Sequence, residues 1–556
     1  MVYIIVMKRH CNLHLSLLFV LLAGCTSHPP DATKSAGGLL RRLGNHSMKI
    51  TTASAEAQKA FDRGLTLTYA FAHYAAEQEY RRALQADPDC AMAWWGIALV
   101  NGPHINYPIV TPERAATAWE ALGQATNRAV RTTPLEQALI YALAKRYAYP
   151  QPENRRPLDE AYAEAMRQVW RDYPANADVA TLFAEALLDL HPWDLWTKDG
   201  PQPWTPEIVA TIERALELNP RHPGANHYYI HAVEASPNPE KAIAAADRLR
   251  TLVPDSSHLV HMPAHIYARV ARWDDAAAAN RDAMKADVLY RAAYPRPSFY
   301  AIYMAHNTHF LGFVAMMQGK SAEAIECARS MVAEIPEDFR TEFAPVVDGF
   351  LIFPSKVLMR FGRWEEVLAE PQPPAQAPLS RALWHFTRTS ALIALKRIEE
   401  ARAEKDAFDR AAGAVPPGWQ FGQNYATNLL TIARYVLAGE ISAQAGDLDA
   451  AVISLREAAR VEDTLVYDEP PDWIQPVRHT LGAVLLRAGQ PIEAAQVYRE
   501  DLQRYPENGW ALMGLRDALR RQGNDPDARM VHARFRKGWA DADVQPPSTC
   551  YCQAGL

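Results

Sequence analysis

Cysteine is scarce, with six in 556 residues. Cys11 and Cys25 lie in or at the end of the N-terminal apolar stretch, Cys90 and Cys327 stand alone, and Cys550 and Cys552 are two apart. There is no CxxC pair of the zinc-site type, and cysteines this sparse do not make a disulfide scaffold. Long runs of one charge are also missing. The 58 basic and 64 acidic residues are interspersed and leave a formal charge of -6. Nucleic-acid binding needs a basic stripe to neutralise phosphates, so nucleic acid is not an expected partner. No Gly-rich phosphate loop, Gly-x-Ser-x-Gly elbow or HExxH pair occurs, which leaves those nucleotide, hydrolase and metalloprotease chemistries unsupported. Strand signals are nearly absent. Beyond the N-terminus no apolar stretch reaches membrane-spanning length.

The N-terminus reads as an address. Met7-Lys8-Arg9-His10 is followed by an apolar run from Leu15 to Leu22 and then by Leu22-Ala23-Gly24-Cys25, the charge, core and small-residue pattern of a secretory signal. Its ending resembles the bacterial lipobox, which implies cleavage and lipidation at Cys25; Met7 rather than Met1 is the expected start. The division that follows is a lipoprotein signal peptide over 1–25, a flexible tether over 26–50, a helical body over 51–540 and a flexible tail over 541–556. In that tail Cys550 and Cys552 either pair or stay free. The expected location is the bacterial cell envelope, with the body in the periplasm or outside the cell and membrane contact through the lipid alone.

The body repeats. Pro220 and Pro254 are 34 residues apart, as are Ala242 and Ala276. Gly64, Ala76, Tyr80, Ala83 and Pro88 set a spacing that recurs at Gly312, Ala324 and Pro336, at Gly439, Ala451, Leu455 and Ala458, and at Gly482, Ala494, Tyr498 and Pro506. Two antiparallel helices in 34 residues, with small residues where they cross and proline after the second, are the tetratricopeptide unit. The expected fold is all-α: a right-handed solenoid of antiparallel helix pairs. Insertions rich in proline and aromatics interrupt it at 101–111, 191–206, 287–297 and 467–476.

Seven of the 18 histidines fall between residues 227 and 309: His227, His231, His258, His261, His265, His306 and His309. With repeat units starting near Pro223, Ser257 and Ala305, all seven take first-helix positions 2, 5 or 9, and Glu234 takes position 12. At about 100° per residue these positions share one face, opposite the packing positions. In this architecture that face lines the concave groove. Neutral imidazole is a common ligand for copper, zinc, iron and nickel, and pairs three or four residues apart chelate from one helix. Glu234 would serve as a carboxylate ligand or general base, and Tyr228, Tyr229, Tyr267 and Tyr303 would orient the ligands. Two other readings stay open: a groove that holds a peptide, a protein or a small molecule, and hydrogen bonding between neighbouring helices. Glu462, Asp463, Asp468, Glu469 and Asp472 form the strongest acidic patch, read as a solvated inter-helix loop, as a cap on the groove or as a cation-binding site. The loops at His104 and at His191-Pro192-Trp193-Asp194-Leu195-Trp196, the latter with Glu185 just before it, meet the histidine face only if the solenoid closes strongly.

The blocks Leu65–Phe71, Asp87–Gly96, His227–Glu234, His258–Tyr267, His306–His309 and Tyr467–Trp473 span most of the chain after residue 50. They resemble a bacterial group of secreted tetratricopeptide-repeat lipoproteins whose activity is not assigned. The resemblance implies the solenoid and partner binding in its groove, and implies no reaction. The sequence thus points to a lipid-anchored repeat protein that binds a peptide, protein or small ligand, with a metal-binding protein or metalloenzyme as the alternative.

Overall fold

The computed structural model describes residues 39–295, 298–335, 337, 340 and 343–553. The expected signal peptide and Cys25 lie outside these residues. Antiparallel helix pairs follow one another along the chain, beginning with Ala55–Thr68 and His73–Ala86 and ending with Gly509–Arg521 and Asp525–Gly538. The strands among the described residues are two short hairpins, Trp196–Thr197 with Gly200–Pro201 and Gln420–Phe421 with Asn424–Tyr425. No described helix is long and apolar enough to cross a membrane.

Helix starts follow local chemistry. Thr133 and Glu136 form a reciprocal capping box, the Asn176 and Asn508 side chains accept the Val179 and Ala511 amides, and Pro112, Pro223 and Pro491 sit in first turns, where no amide donor is needed. Crossings follow size. The buried Tyr80 ring lies between Gly64 and Gly96, where an added Cβ would stand 2.7 and 2.6 Å from it. Tyr498 is clasped in the same way by Gly482 and Gly514 near the other end. The small residue at each crossing lets one large ring fill the seam between three helices.

The solenoid curls until its ends reach its middle. At the N-terminal end, Tyr69 packs against Gly224. Near the C-terminal end, Trp510 Nε1 donates to the Met316 carbonyl (2.8 Å), and Trp273 Nε1 donates to the Pro506 carbonyl (2.9 Å). One apolar cluster joins residues from Leu40 to Phe361 with Trp510 and Met513, and a second fills the C-terminal pairs.

Three segments differ from the sequence reading. Residues 39–50, expected as tether, pack as a strap: the Arg41 and Arg42 amides donate to Asp255 (2.8 and 2.7 Å), and Met48 and Ile50 are buried. The stretch after 541 is not a free tail either. Asp543 accepts the Ser321 and Ala322 amides at a helix start (2.7 and 2.9 Å), Thr549 Oγ1 donates to the His479 carbonyl (2.6 Å), and Cys550 is bonded to Cys552. Most of the expected insertion 287–297 is helix, because the Ala-rich run continues to Ala293 as one 21-residue helix, Trp273–Ala293.

The glycine at a crossing and the glycine on a free face predict opposite effects. Gly96→Ala drives a methyl into Tyr80 and should lower stability by about 1–3 kcal/mol. Gly123→Ala, where a Cβ meets nothing within 4 Å, should raise it by about 0.5–1 kcal/mol. Urea unfolding of the two variants checks both signs.

Candidate metal centre

The histidine helices sit at the hub of the curled array. They are Pro223–Val233, the pair Ser257–His261 and Pro263–Arg269 (one path broken at Met262), and Ala301–Met317. Six of the seven singled-out histidines converge. In each of the sets His261/His265/His306 and His227/His231/His258, one nitrogen per ring lies within 4.8 Å of the others. His306 is half-buried and the other five are buried, as is Glu234. This stretch of the surface is an enclosed interior rather than an open groove.

The outer nitrogens fix the tautomers. Glu234 accepts Nδ1–H from His231 on Oε1 (2.8 Å) and from His265 on Oε2 (2.6 Å). Asn280 donates its amide to the Ala276 carbonyl (2.9 Å), so its Oδ1 faces His261 and accepts Nδ1–H at 2.6 Å. His227 Nδ1–H donates to the Tyr69 carbonyl (2.7 Å). With Nδ1 committed as donor, His227, His231 and His261 present Nε2 as a lone pair, and His265 does so in its neutral form.

In the first set the Nε2 atoms meet. Nε2 of His261 and Nε2 of His265 are 2.8 Å apart, and Nε2 of His306 is 3.4 Å from that of His265. Facing lone pairs at this range repel unless a proton or a cation lies between them. Two imidazoles on one tetrahedral ion, each with an N–metal bond of about 2.0–2.1 Å, would be about 3.3 Å apart. The two distances bracket that value.

Burial drives the electrostatics. It pulls His227, His258, His261 and His306 well below the ordinary imidazole value, so these rings are neutral, the form that ligates metals. Burial acts on His265 too, but the Glu234 carboxylate, with Glu469 and Asp468 beyond it, outweighs burial and raises that imidazole. Burial alone would lift Glu234, yet His265 and His231 hold it down to about 2. A carboxylate held this way is a weak base. The general-base role expected of Glu234 gives way to an orienting one.

His309 does not join. Its ring packs on Phe353 (4.5 Å between centroids), toward the next repeat, and burial lowers it to about 3. Of the tyrosines expected to orient ligands, Tyr303 packs on His258 (4.4 Å between centroids, tilted by 35°) and Tyr228 lies beside His227 (5.3 Å). Tyr229 and Tyr267 turn away to donate to Glu213 and Asp247. Asn280 escaped the sequence reading. Its signal was an amide side chain four residues after Ala276, at a packing position of an Ala-rich helix.

Closure of the solenoid brings loops onto this hub. Phe71, at φ 54°, stacks on His104 (4.5 Å) and meets His227 (4.7 Å). Trp193, at φ 59°, sets its edge against His231 (5.3 Å). A bulky residue in the left-handed region costs on the order of 1–3 kcal/mol, and two such residues flank these imidazoles. The acidic loop is largely buried: Glu462, Glu469 and Asp472 are buried, Asp468 is half-buried and Asp463 stays exposed, and burial lifts Glu469 to about 7 and Asp468 to about 6. With Arg269, Tyr467, Trp473 and Tyr505 these acids line a cavity of about 260 Å³.

A third cluster, His46, Asp178 and His222, shows what satisfied histidines look like. His222 Nδ1 accepts the Ala225 amide (3.1 Å), so its Nε2–H donates to Asp178 (3.1 Å). His46 Nε2 and the Tyr69 hydroxyl reach the same oxygen, at 2.9 and 3.0 Å. Burial would raise Asp178, but these hydrogen bonds and the histidines' charge hold it far below its ordinary value. No lone pair there is left facing another.

No family model matches the chain, and no curated protein matches it. Solved structures similar to it include tetratricopeptide-type proteins. Human IFIT1, solved as a dimer with m7Gppp-AAAA, shares 12% identity over 92% of this chain and 95% of its own, at a TM-score of 0.35. Cut9, from the APC/C hetero-tetramer Cut9-Hcn1, shares 12% over 87% and 76% (TM-score 0.31), and yeast Tom70 shares 11% over 86% and 90% (TM-score 0.28). Scores of this size put no functional statement on this chain.

The satisfied cluster predicts a structural role for Asp178. Asp178→Ala removes the acceptor shared by His46 and His222 and should loosen the strap at 39–50. Tryptic cleavage after Arg41 or Arg42 should accelerate on the order of tenfold, the factor given by about 1.4 kcal/mol, with no change in bound metal.

Proposed function

We propose that this chain is a metal-binding protein, holding one transition-metal ion through Nε2 of His261, His265 and His306 inside its helical-repeat scaffold. The observation that carries the reading is the 2.8 Å approach of two imidazole nitrogens whose outer nitrogens are both committed as donors. A ligand set of neutral imidazoles favours copper and zinc ahead of iron, and disfavours magnesium and calcium, which take oxygen ligands. Three protein ligands leave a tetrahedral ion one open position, the arrangement of zinc sites that bind water or substrate. The half-buried His306 lies on the side of the set nearest solvent.

A second reading has its own observation. Glu469 Oε2 is buried and unpaired beside the 260 Å³ cavity, which supports binding of a small hydrogen-bond-donating or cationic ligand there. The two readings are compatible, since Asp468 and Glu469 act electrostatically on His265. The Leu22-Ala23-Gly24-Cys25 pattern supports placing the protein at a cell envelope.

Elemental analysis of the purified, tag-free protein tests the metal reading beside a His261→Ala/His265→Ala variant with matched helicity. Near-stoichiometric copper, zinc or iron in the wild type and its loss in the variant is the expected result. If both forms remain metal-free after metal is offered and the excess removed, the reading fails. Asn280→Ala, which frees the outer nitrogen of His261, should weaken retention by about 10–100-fold.

A further inference from the structure

We propose that His227, His231 and His258 form a second transition-metal site beside the first, with Glu234 shared between them, so that the centre takes two ions. This rests on the reading of His261, His265 and His306 as a metal site, and extends it to residues that reading does not use.

The second set has unmet lone pairs of its own. His227 and His231 spend their Nδ1–H groups on the Tyr69 carbonyl and Glu234, and the Nε2 of each is buried without a partner. His258 has no hydrogen-bond partner on either nitrogen. A buried polar atom left unsatisfied costs about 1–3 kcal/mol, and here four ring nitrogens in three touching imidazoles are in that state. The contrast with His46, Asp178 and His222, where the carboxylate collects every available proton, separates a donor set from a packed polar cluster.

The geometry asks for little movement. The ligand atoms lie within 4.8 Å of one another, against the roughly 3.3 Å expected around a tetrahedral ion. His227 and His231 are anchored by their outer hydrogen bonds. The His258 side chain packs on Tyr303 and has no hydrogen bond to lose, so its rotation closes the set. Neutral imidazoles again specify the copper and zinc class.

Glu234 couples the two sets. Its Oε1 orients His231 of one and its Oε2 orients His265 of the other. The sets abut: the rings of His231 and His265 are 6.2 Å apart by centroid, and those of His258 and His261 are 6.1 Å apart. A single carboxylate thus places its negative charge between two cations and fixes the aim of one ligand on each.

Chelator-stripped protein offered zinc(II), passed through gel filtration and assayed for zinc per chain, gives the test. The wild type should retain two ions. A His227→Ala/His258→Ala variant should retain one, as should His261→Ala/His265→Ala. Glu234→Gln should weaken both sites by about 10–100-fold. His258→Phe, which keeps a ring against Tyr303 and removes no side-chain hydrogen bond, provides the same comparison if the double variant does not fold. One ion in the wild type, unchanged by His258→Phe, overturns this inference and leaves the first site standing. Two ions that survive His258→Phe and the first double variant also overturn it. No ion in the wild type overturns both.

Discussion

Glu234 is the constraint around which the centre is organised. A buried carboxylate is tolerated only when its charge is answered and its oxygens are engaged, and here two imidazoles from neighbouring repeats do both. That arrangement fixes Nδ1 of His231 and of His265 as the donor, which leaves Nε2 of each as the lone pair of the neutral ring. Asn280 and the Tyr69 carbonyl repeat the device on His261 and His227. The outer partners come from an amide, a carboxylate and a backbone carbonyl on three separate elements, yet each leaves Nε2 aimed inward.

The repeat architecture supplies the positions and its curvature supplies the enclosure. Small residues at the crossings bring helices close enough for side chains of three consecutive first helices to meet. The curl then draws Phe71 and His104 from the N-terminal units, Trp193 from the middle and the 467–472 loop from the C-terminal units onto the same face. Two of these closing residues, Phe71 and Trp193, hold left-handed backbone conformations. Strain of that kind persists only where surrounding packing over-determines it. The closing loops are fitted to the imidazole cluster rather than draped over it.

The helix pairs and the histidine face were legible in the sequence because both are periodic. A 34-residue repeat and positions 2, 5 and 9 place residues on a face without reference to distant chain. His309 shared the frame but not the centre: it lies on the same helix as His306, three residues on, and its ring packs on Phe353. Tyr229 and Tyr267 were adjacent in sequence to the cluster and point to the opposite side, the ordinary consequence of about 100° per residue. What the sequence hid depends on long-range closure. The acidic loop is polar enough to read as solvated, and its burial follows only from the C-terminal pairs folding back. The strap at 39–50 and the packed stretch after 541 likewise owe their order to partners more than a hundred residues away, Asp255 and the Ser321 helix start. Asn280 was hidden in an alanine-rich run that reads as packing.

The account turns on lone pairs of His261, His265 and His306 pointing at one place. Crystals of the zinc-loaded protein, with diffraction data collected on both sides of the zinc absorption edge, address that directly. The account predicts an anomalous peak at about 2.0–2.1 Å from Nε2 of all three rings, with the Nδ1 contacts to Asn280 and Glu234 kept. Absence of any peak there, with His265 donating a proton to His261 in its place, would contradict it.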